Sequence, residues 1–134
     1  MKPYAAVLAL LKATTAVTAI VGRRVYHAYV PKSATMDNIA FFEIGLPRRF
    51  TGIESQDYQI GCRGTTLART MDLARVVVDL FHGTSSTGIY GTQGSFSIGR
   101  AFQSAPVPLI PEPRGSMYNA PVQITMVYPS STVS

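Results

Sequence analysis

The order of element types is the strongest constraint this chain carries. An apolar helix-type segment leads into the short run Val21-Gly22-Arg23-Arg24-Val25-Tyr26, and two alternating strand-type segments follow. One amphipathic stretch then occupies Thr66 to His82, and two further strand-type segments come after it, set among Gly-rich and Pro-rich loops. Catalytic material is sparse along the whole of it, so function has to come from shape and surface.

The amphipathic stretch is the clearest single element. Leu67, Met71, Ala74, Val78 and Phe81 recur at helical spacing on one face, which predicts that this face is the buried one. Arg69, Asp72, Arg75 and Asp79 alternate in sign on the polar side, the spacing of exposed i,i+3 and i,i+4 pairs. Thr65 or Thr66 supplies the N-cap, His82 suits the helix C-terminus, and Gly83 allows a left-handed stop.

The first helix is expected from Pro3 to about Thr14, with Tyr4, Val7, Leu8 and Leu11 inward. Val17, Ile20 and Val21 predict a short helical turn, with Gly22 at the corner. Val25, Tyr26, Tyr29 and Val30 mark a strand over residues 23–30 that Pro31 stops, and residues 32–38 read as a loop. Ile39 to Ile44 is apolar on both faces and reads as a central strand. Leu46 to Ser55, holding Pro47, Arg48, Arg49 and Gly52, reads as a hairpin tip in solvent, and Gln56 to Arg63 is the returning strand. Later, Phe96, Ile98 and Phe102 lie on one side of a strand, and Val122, Ile124, Met126 and Tyr128 alternate in the last one. Between them, residues 83–94 form a flexible Gly-rich loop, and the prolines of residues 105–115 form a stiff one.

Composition bounds the rest. A chain of 134 residues is the size of one ordinary domain, and one core is expected over residues 1–134. Charged residues are only 14%, against about 25% in a typical soluble domain. That depletion is what permanent interfaces show, so an oligomer or a larger assembly is favoured. The net charge is +5 and the pI near 9.7, suited to phosphate or to an acidic protein surface. No block of like charges forms a disordered nucleic-acid arm.

Cys62 is the single cysteine, so no internal disulfide framework or multi-cysteine zinc site is available. A buried thiol in a reducing compartment fits its strand position. Lys2 before an apolar run superficially resembles a targeting segment, but Lys12 interrupts it. No stretch reaches the roughly 20 apolar residues of a membrane span, so a soluble, cytoplasmic protein with no membrane partner is expected. His27 and His82 are the only histidines and no nucleophile motif accompanies them, so no enzyme activity, metal site or cofactor is expected. His27, between strand residues Val25 and Tyr29, reads as a packed or interface side chain. The string Gly88 to Gly94 has the glycines of a phosphate loop in the wrong context, after a helix and before a strand.

The Leu10-Leu11-Lys12 helix, the Val17-Thr18-Ala19-Ile20-Val21-Gly22 turn and the Arg23-Arg24-Val25-Tyr26 strand resemble the opening of tail terminator, or tail completion, proteins of long-tailed bacteriophages. Phe41-Phe42-Glu43-Ile44, Tyr58-Gln59-Ile60 and the late strand Ala120 to Met126 follow the order of that family. The resemblance implies an α+β protein with an antiparallel sheet of about four to five strands and two main helices on one face. It implies a homohexameric ring at the head-proximal end of the tail tube that ends tail polymerisation. The ring would contact the tail tube protein and the head connector or stopper, and DNA would pass through its lumen without sequence-specific binding. The place is then the virion tail or neck, with assembly in the host cytoplasm. The Pro106 to Pro113 run and the high pI depart from the family's pattern.

Two other readings stand beside it: a head-closure or connector ring of the phage neck, and a basic nucleic-acid-binding module whose Tyr and Phe residues stack bases. For partner binding the residues singled out are Arg48, Arg49, Arg63, Arg100 and Arg114. Arg48 and Arg49 come first, as the proposed contact with an acidic partner.

Overall fold

A computed structural model describes residues 2–31, 36–81, 91–93, 96–98, 100–108, 110–111 and 117–130. Helices α1 (Pro3–Ala13) and α2 (Thr15–Val21) come first, followed by strands β1 (Val25–His27), β2 (Asn38–Phe50) and β3 (Ile53–Gly64). Helix α3 (Leu67–Phe81) precedes β4 (Gly91–Gln93), β5 (Phe96–Ile98), β6 (Arg100–Gln103), β7 (Ile110–Pro111) and β8 (Tyr118–Pro129).

The main sheet has the order β1-β2-β3-β8-β6, with β7 also paired to β8, and β4 and β5 form a separate two-stranded ribbon. All pairings are antiparallel except that of β1 with β2, so the α+β expectation holds with a mixed sheet. β1 is short. Ala28 takes a positive φ of 68°, its amide donates to the Phe41 carbonyl, and the chain leaves the sheet after three strand residues, earlier than the Pro31 stop. Tyr29 and Val30 are exposed accordingly.

Period-2 alternation puts one set of side chains on the helical face: Ile39 and Phe41 of β2, Tyr58, Ile60 and Cys62 of β3, and Val122, Ile124, Met126 and Tyr128 of β8, all buried. Against them pack Val7 and Leu11 of α1, Val17 and Val21 of α2, and Leu73, Val77 and Phe81 of α3. α1 and α2 form a bent pair, at 78° to each other. Gly22 closes α2 at φ 61°, as its place at the corner requires. Three helices thus cover the face: the two main ones expected and, as α2, the short helical turn expected at Val17 to Val21.

Four expectations are corrected. β2 is not central: β3 holds that place, and among the described residues β2 has only β1 beyond it, registered to residues 39–41. Phe42 and Ile44 point to the face away from the helices and are exposed surface, not a second buried face. The hairpin tip is also narrower than residues 46–55, because the strands continue to Phe50 and Ile53, with a register shift between Ile44 and Arg48. Phe96, Ile98 and Phe102 belong to two strands in two sheets, and Ala101 is the β6 residue that enters the core. The buried stripe of α3 is rotated: Thr70, Leu73, Ala74, Val77 and Phe81 face the sheet, while Leu67 and Met71 are each 47% exposed.

That rotation has a cause at the helix start. Asp37 is buried where β2 begins; its Oδ1 accepts from the Thr65 amide at 2.8 Å and from the Thr65 hydroxyl at 3.2 Å, and its Oδ2 pairs with Arg69 Nε. The Asp37 carbonyl also accepts from Arg24 Nε at 2.7 Å. Thr66 caps α3, its hydroxyl oxygen accepting from the Arg69 amide at 3.2 Å. Gly64 completes the junction, since a Cβ there would lie 2.3 Å from Thr70 Oγ1 and 2.9 Å from Thr70 N. With Arg69 drawn to Asp37, the helix is turned so that Thr70 and Leu73 meet the sheet. The Gly83 stop and His82 lie outside the described residues.

Leu73→Ala should cost about 2–5 kcal/mol, whereas Met71→Ala should cost about 1 kcal/mol or less. Urea melts of the two variants compare the faces directly, and equal losses would contradict the rotated stripe. A second expectation concerns acid. Burial alone would raise the Asp37 carboxyl, but the Thr65 amide, the hydrogen bond and charge of Arg69, and the Thr65 hydroxyl together hold it below its ordinary 3.8. The stability it adds is present above that unfolded-chain value and is lost as pH falls through the lower folded value. Asp37→Asn should melt lower than wild type at neutral pH and lose less on acidification; parallel acid limbs would refute the assignment.

Candidate functional site

The surface that stands out is the outer edge of β2 and the tip of its hairpin. Beyond Phe41 that edge faces no other strand among the described residues. Phe42, Ile44, Leu46 and Phe50 of β2 and Ile53 at the start of β3 are exposed at 43%, 36%, 90%, 66% and 45%. Large apolar side chains concentrated on one exposed hairpin are what interaction surfaces show.

The arginines chosen from sequence divide between the two faces of this hairpin. Arg48 lies opposite Ser55 on the face away from the helices; one terminal nitrogen donates to Asp57 Oδ1 and to Ser55 Oγ, both at 3.0 Å. Asp57 also accepts from Thr125 Oγ1 at 2.7 Å, which ties β2, β3 and β8 together on that face. Arg49 points to the helical side, 3.6 Å from Glu54, whose side chain is almost wholly buried while that of Arg49 is 79% exposed. Arg63 is on the same face as Arg48, near the far end of β3, and donates to Asn38 Oδ1 at 3.3 Å. The backbone of Arg100 pairs opposite Val127; its side chain, and all of Arg114, lie outside the described residues. The structure therefore brings Arg48 and Arg49 to one hairpin but turns them to opposite sides, and it sets Arg63 apart.

His27 is packed, as expected of it: Tyr4 stacks on its ring at 4.3 Å and 4°, Phe41 tilts against it at 4.9 Å, and Nε2 lies 2.6 Å from Glu43 Oε1. Burial, with Glu43 and then Tyr128 nearby, pushes Tyr58 far above its ordinary range. Tyr128 is raised to about 12 by burial and by Glu54, against the opposing charge of Arg49. Burial also raises the Cys62 thiol, which makes it unreactive. These groups stay protonated at neutral pH. Among the described residues no three His, Cys, Asp or Glu side chains gather as a metal site would need.

Sequence reasoning missed the apolar ridge because Phe42 and Ile44 look like core in any strand pattern. The available signal was Gly45-Leu46-Pro47, which breaks the alternation and leaves Leu46 with no face to pack on. It also missed the Asp37 junction, since an acid in a loop has no periodicity to betray it.

No protein-family model and no curated protein matches this chain. Among solved structures, its fold is similar to that of a chain in the virion of a native gene transfer agent particle. The TM-score is 0.72 at 17% identity, and the match covers 96% of this chain and 96% of the other. At that identity the likeness is one of fold, and it extends over both chains nearly end to end.

Proposed function

We propose that this protein is a non-enzymatic structural component of a phage-type virion. In this reading it forms a homohexameric ring that caps the head-proximal end of the tail tube, ends tail polymerisation and joins the tail to the head connector. The observation that carries the first part is the end-to-end fold likeness to a chain of a gene transfer agent virion. The tail-terminator role rests on the order of elements and on the segments from Leu10 to Tyr26 that resemble that family. The low charge content and the exposed apolar ridge support an assembled form.

The nucleic-acid reading is weakened by the same geometry. Arg48 and Arg49 turn to opposite faces of their hairpin and Arg63 lies near the other end of β3, so these three do not line one phosphate track. In the ring reading DNA passes the lumen without sequence-specific contact. Arg48 and Arg49 remain the proposed contact with an acidic partner, with Arg63, Arg100 and Arg114 as further members of that set.

Electron microscopy of a lysate in which this reading frame is interrupted tests the role. Overlong or ragged tails beside separate, filled heads are expected of a lost terminator. Normal tails beside leaking heads would instead assign a head-closure ring, and normal particles would remove the structural reading altogether. Changing both Arg48 and Arg49 to Gln, which removes the charges without setting a carboxylate against Asp57 or Glu54, should keep a cooperative melt while weakening head-to-tail joining; full joining by that variant would clear the pair of a docking role.

A further inference from the structure

The core face of β3 changes character toward the hairpin. Alternation puts Glu54, Gln56 and Tyr58 in line with Ile60 and Cys62, and these three polar residues are buried, at 6%, 4% and 1% exposure. Polar side chains on the core face of a central strand are costly unless each finds a partner. Here they line a cavity of about 320 Å³. Ile44 pairs with Asp57 and Arg48 with Ser55, so Gly45, Leu46 and Pro47 stand opposite Gln56 alone, and the bend this puts into β2 forms one wall. Lys2 and Tyr4 at the start of α1, and Tyr128 of β8, form the others.

The polar atoms inside are mostly acceptors, and they are short of donors. Gln56 Nε2 is spent on the Gly45 carbonyl at 3.2 Å and the Asp57 carbonyl at 2.9 Å, which leaves Oε1 as an acceptor. The Glu54 carboxylate receives no hydrogen bond among the described residues; its ion pair there is with Arg49 Nε at 3.6 Å, from a side chain that is 79% exposed. The Tyr58 hydroxyl has no hydrogen-bond partner among the described residues either. None of these atoms is sealed off, since among the described residues Asn119 Oδ1 is the one side-chain atom both enclosed and unpaired. Glu43 lies opposite Tyr58 on the same face, with its Oε1 engaged by His27 Nε2 at 2.6 Å. Positive groups border the cavity as well, in Lys2, Arg49 and the first turn of α1, but none of them donates a hydrogen bond to Glu54.

We propose that this cavity is a binding site for one guanidinium group, the side chain of an arginine presented by a neighbouring protein. A planar fork of N–H donors can meet the Glu54 carboxylate, Gln56 Oε1 and the Tyr58 oxygen together. A metal ion would need more anionic or imidazole ligands than gather among the described residues. Tyr4, Tyr58 and Tyr128 offer aromatic surface to a flat cation, and a guanidinium is more weakly hydrated than an ammonium, so its burial beside Glu54 costs less. The incoming group supplies the charged hydrogen bonds that Glu54 lacks in the free protein. This goes beyond the ring reading, because it asks only for a partner with an exposed arginine.

The test is two-dimensional NMR of the full-length protein titrated with N-acetyl-arginine-methylamide, with its lysine and norleucine equivalents, and with free arginine. The capped arginine is expected to give saturable shifts confined to the amides of residues 3–5, 43–45, 54–58 and 128, at least as tightly as free arginine. The lysine probe should bind more weakly and the norleucine probe not at all. Glu54→Gln and Tyr58→Phe should each weaken binding, the former by about tenfold or more, as the loss of a charged hydrogen bond does. Arg49→Gln, which removes the cation competing for Glu54, should tighten it. No saturable shift, equal response to the norleucine probe, or undiminished binding by Glu54→Gln would overturn the site, and a response to free arginine alone would overturn a protein side chain as the ligand. Tyr58→Phe and Arg49→Gln carry the same comparison should Glu54→Gln fold poorly. None of these results bears on the ring, which the lysate microscopy reads separately.

Discussion

Everything in this fold is referred to β3. Its twelve residues pair along their full length with β8 on one side, and with β2 on the other for all but Gln56, by the register shift, and Gly64 at the end. A strand hydrogen-bonded on both edges cannot slip by one residue without turning Tyr58, Ile60 and Cys62 to solvent, so its register sets the core face of both neighbours. The helices then have one face to cover. α3 is fastened to it at the point where β3 ends, through Gly64, Thr65 and the Asp37 carboxylate from the start of β2. The Asp37 carboxylate thus anchors the start of α3, whose Leu73, Val77 and Phe81 are buried while Met71 is left exposed.

Much of this architecture is legible in the sequence, and the reason is periodicity. The alternation of Val122, Ile124, Met126 and Tyr128, and the helix over residues 67–81, were readable because long elements repeat their pattern enough times to overcome single exceptions. Short elements were not. β1 is three residues long, and its end is set by the positive φ of Ala28, a backbone conformation that alanine gives no sign of. The rotation of α3 was illegible for a related reason: Leu67 and Met71 are as apolar as Leu73 and Val77, and two stripes on one helix can be ranked only when the tether at the helix start is known.

The candidate surface was half legible. Arg48 and Arg49 marked the right hairpin, because adjacent charges beside Pro47 cannot be core. What they do there was not readable, since a cross-strand ion pair depends on register, and the register of β2 changes between Ile44 and Arg48. With Asp57 and Glu54 opposite them, the two arginines brace the hairpin from its two faces. Exposed pairs of this kind contribute little to stability, roughly 0–1 kcal/mol each; their larger effect is to hold an apolar edge strand in a fixed shape.

A rigid hairpin with an apolar edge has consequences for association that a flexible one would not have. Ordering loops at an interface detracts from affinity, and a hairpin already held by β3, β8 and its own ion pairs has little left to order. The His27–Glu43 contact and the stack of Tyr4 on His27 extend that bracing to α1, so the root of the hairpin is fixed from the helical side as well. Apolar ridge, braced hairpin and low charge content all favour permanent contact over transient recognition, and a chain built in this way is better suited to being part of an assembly than to acting alone.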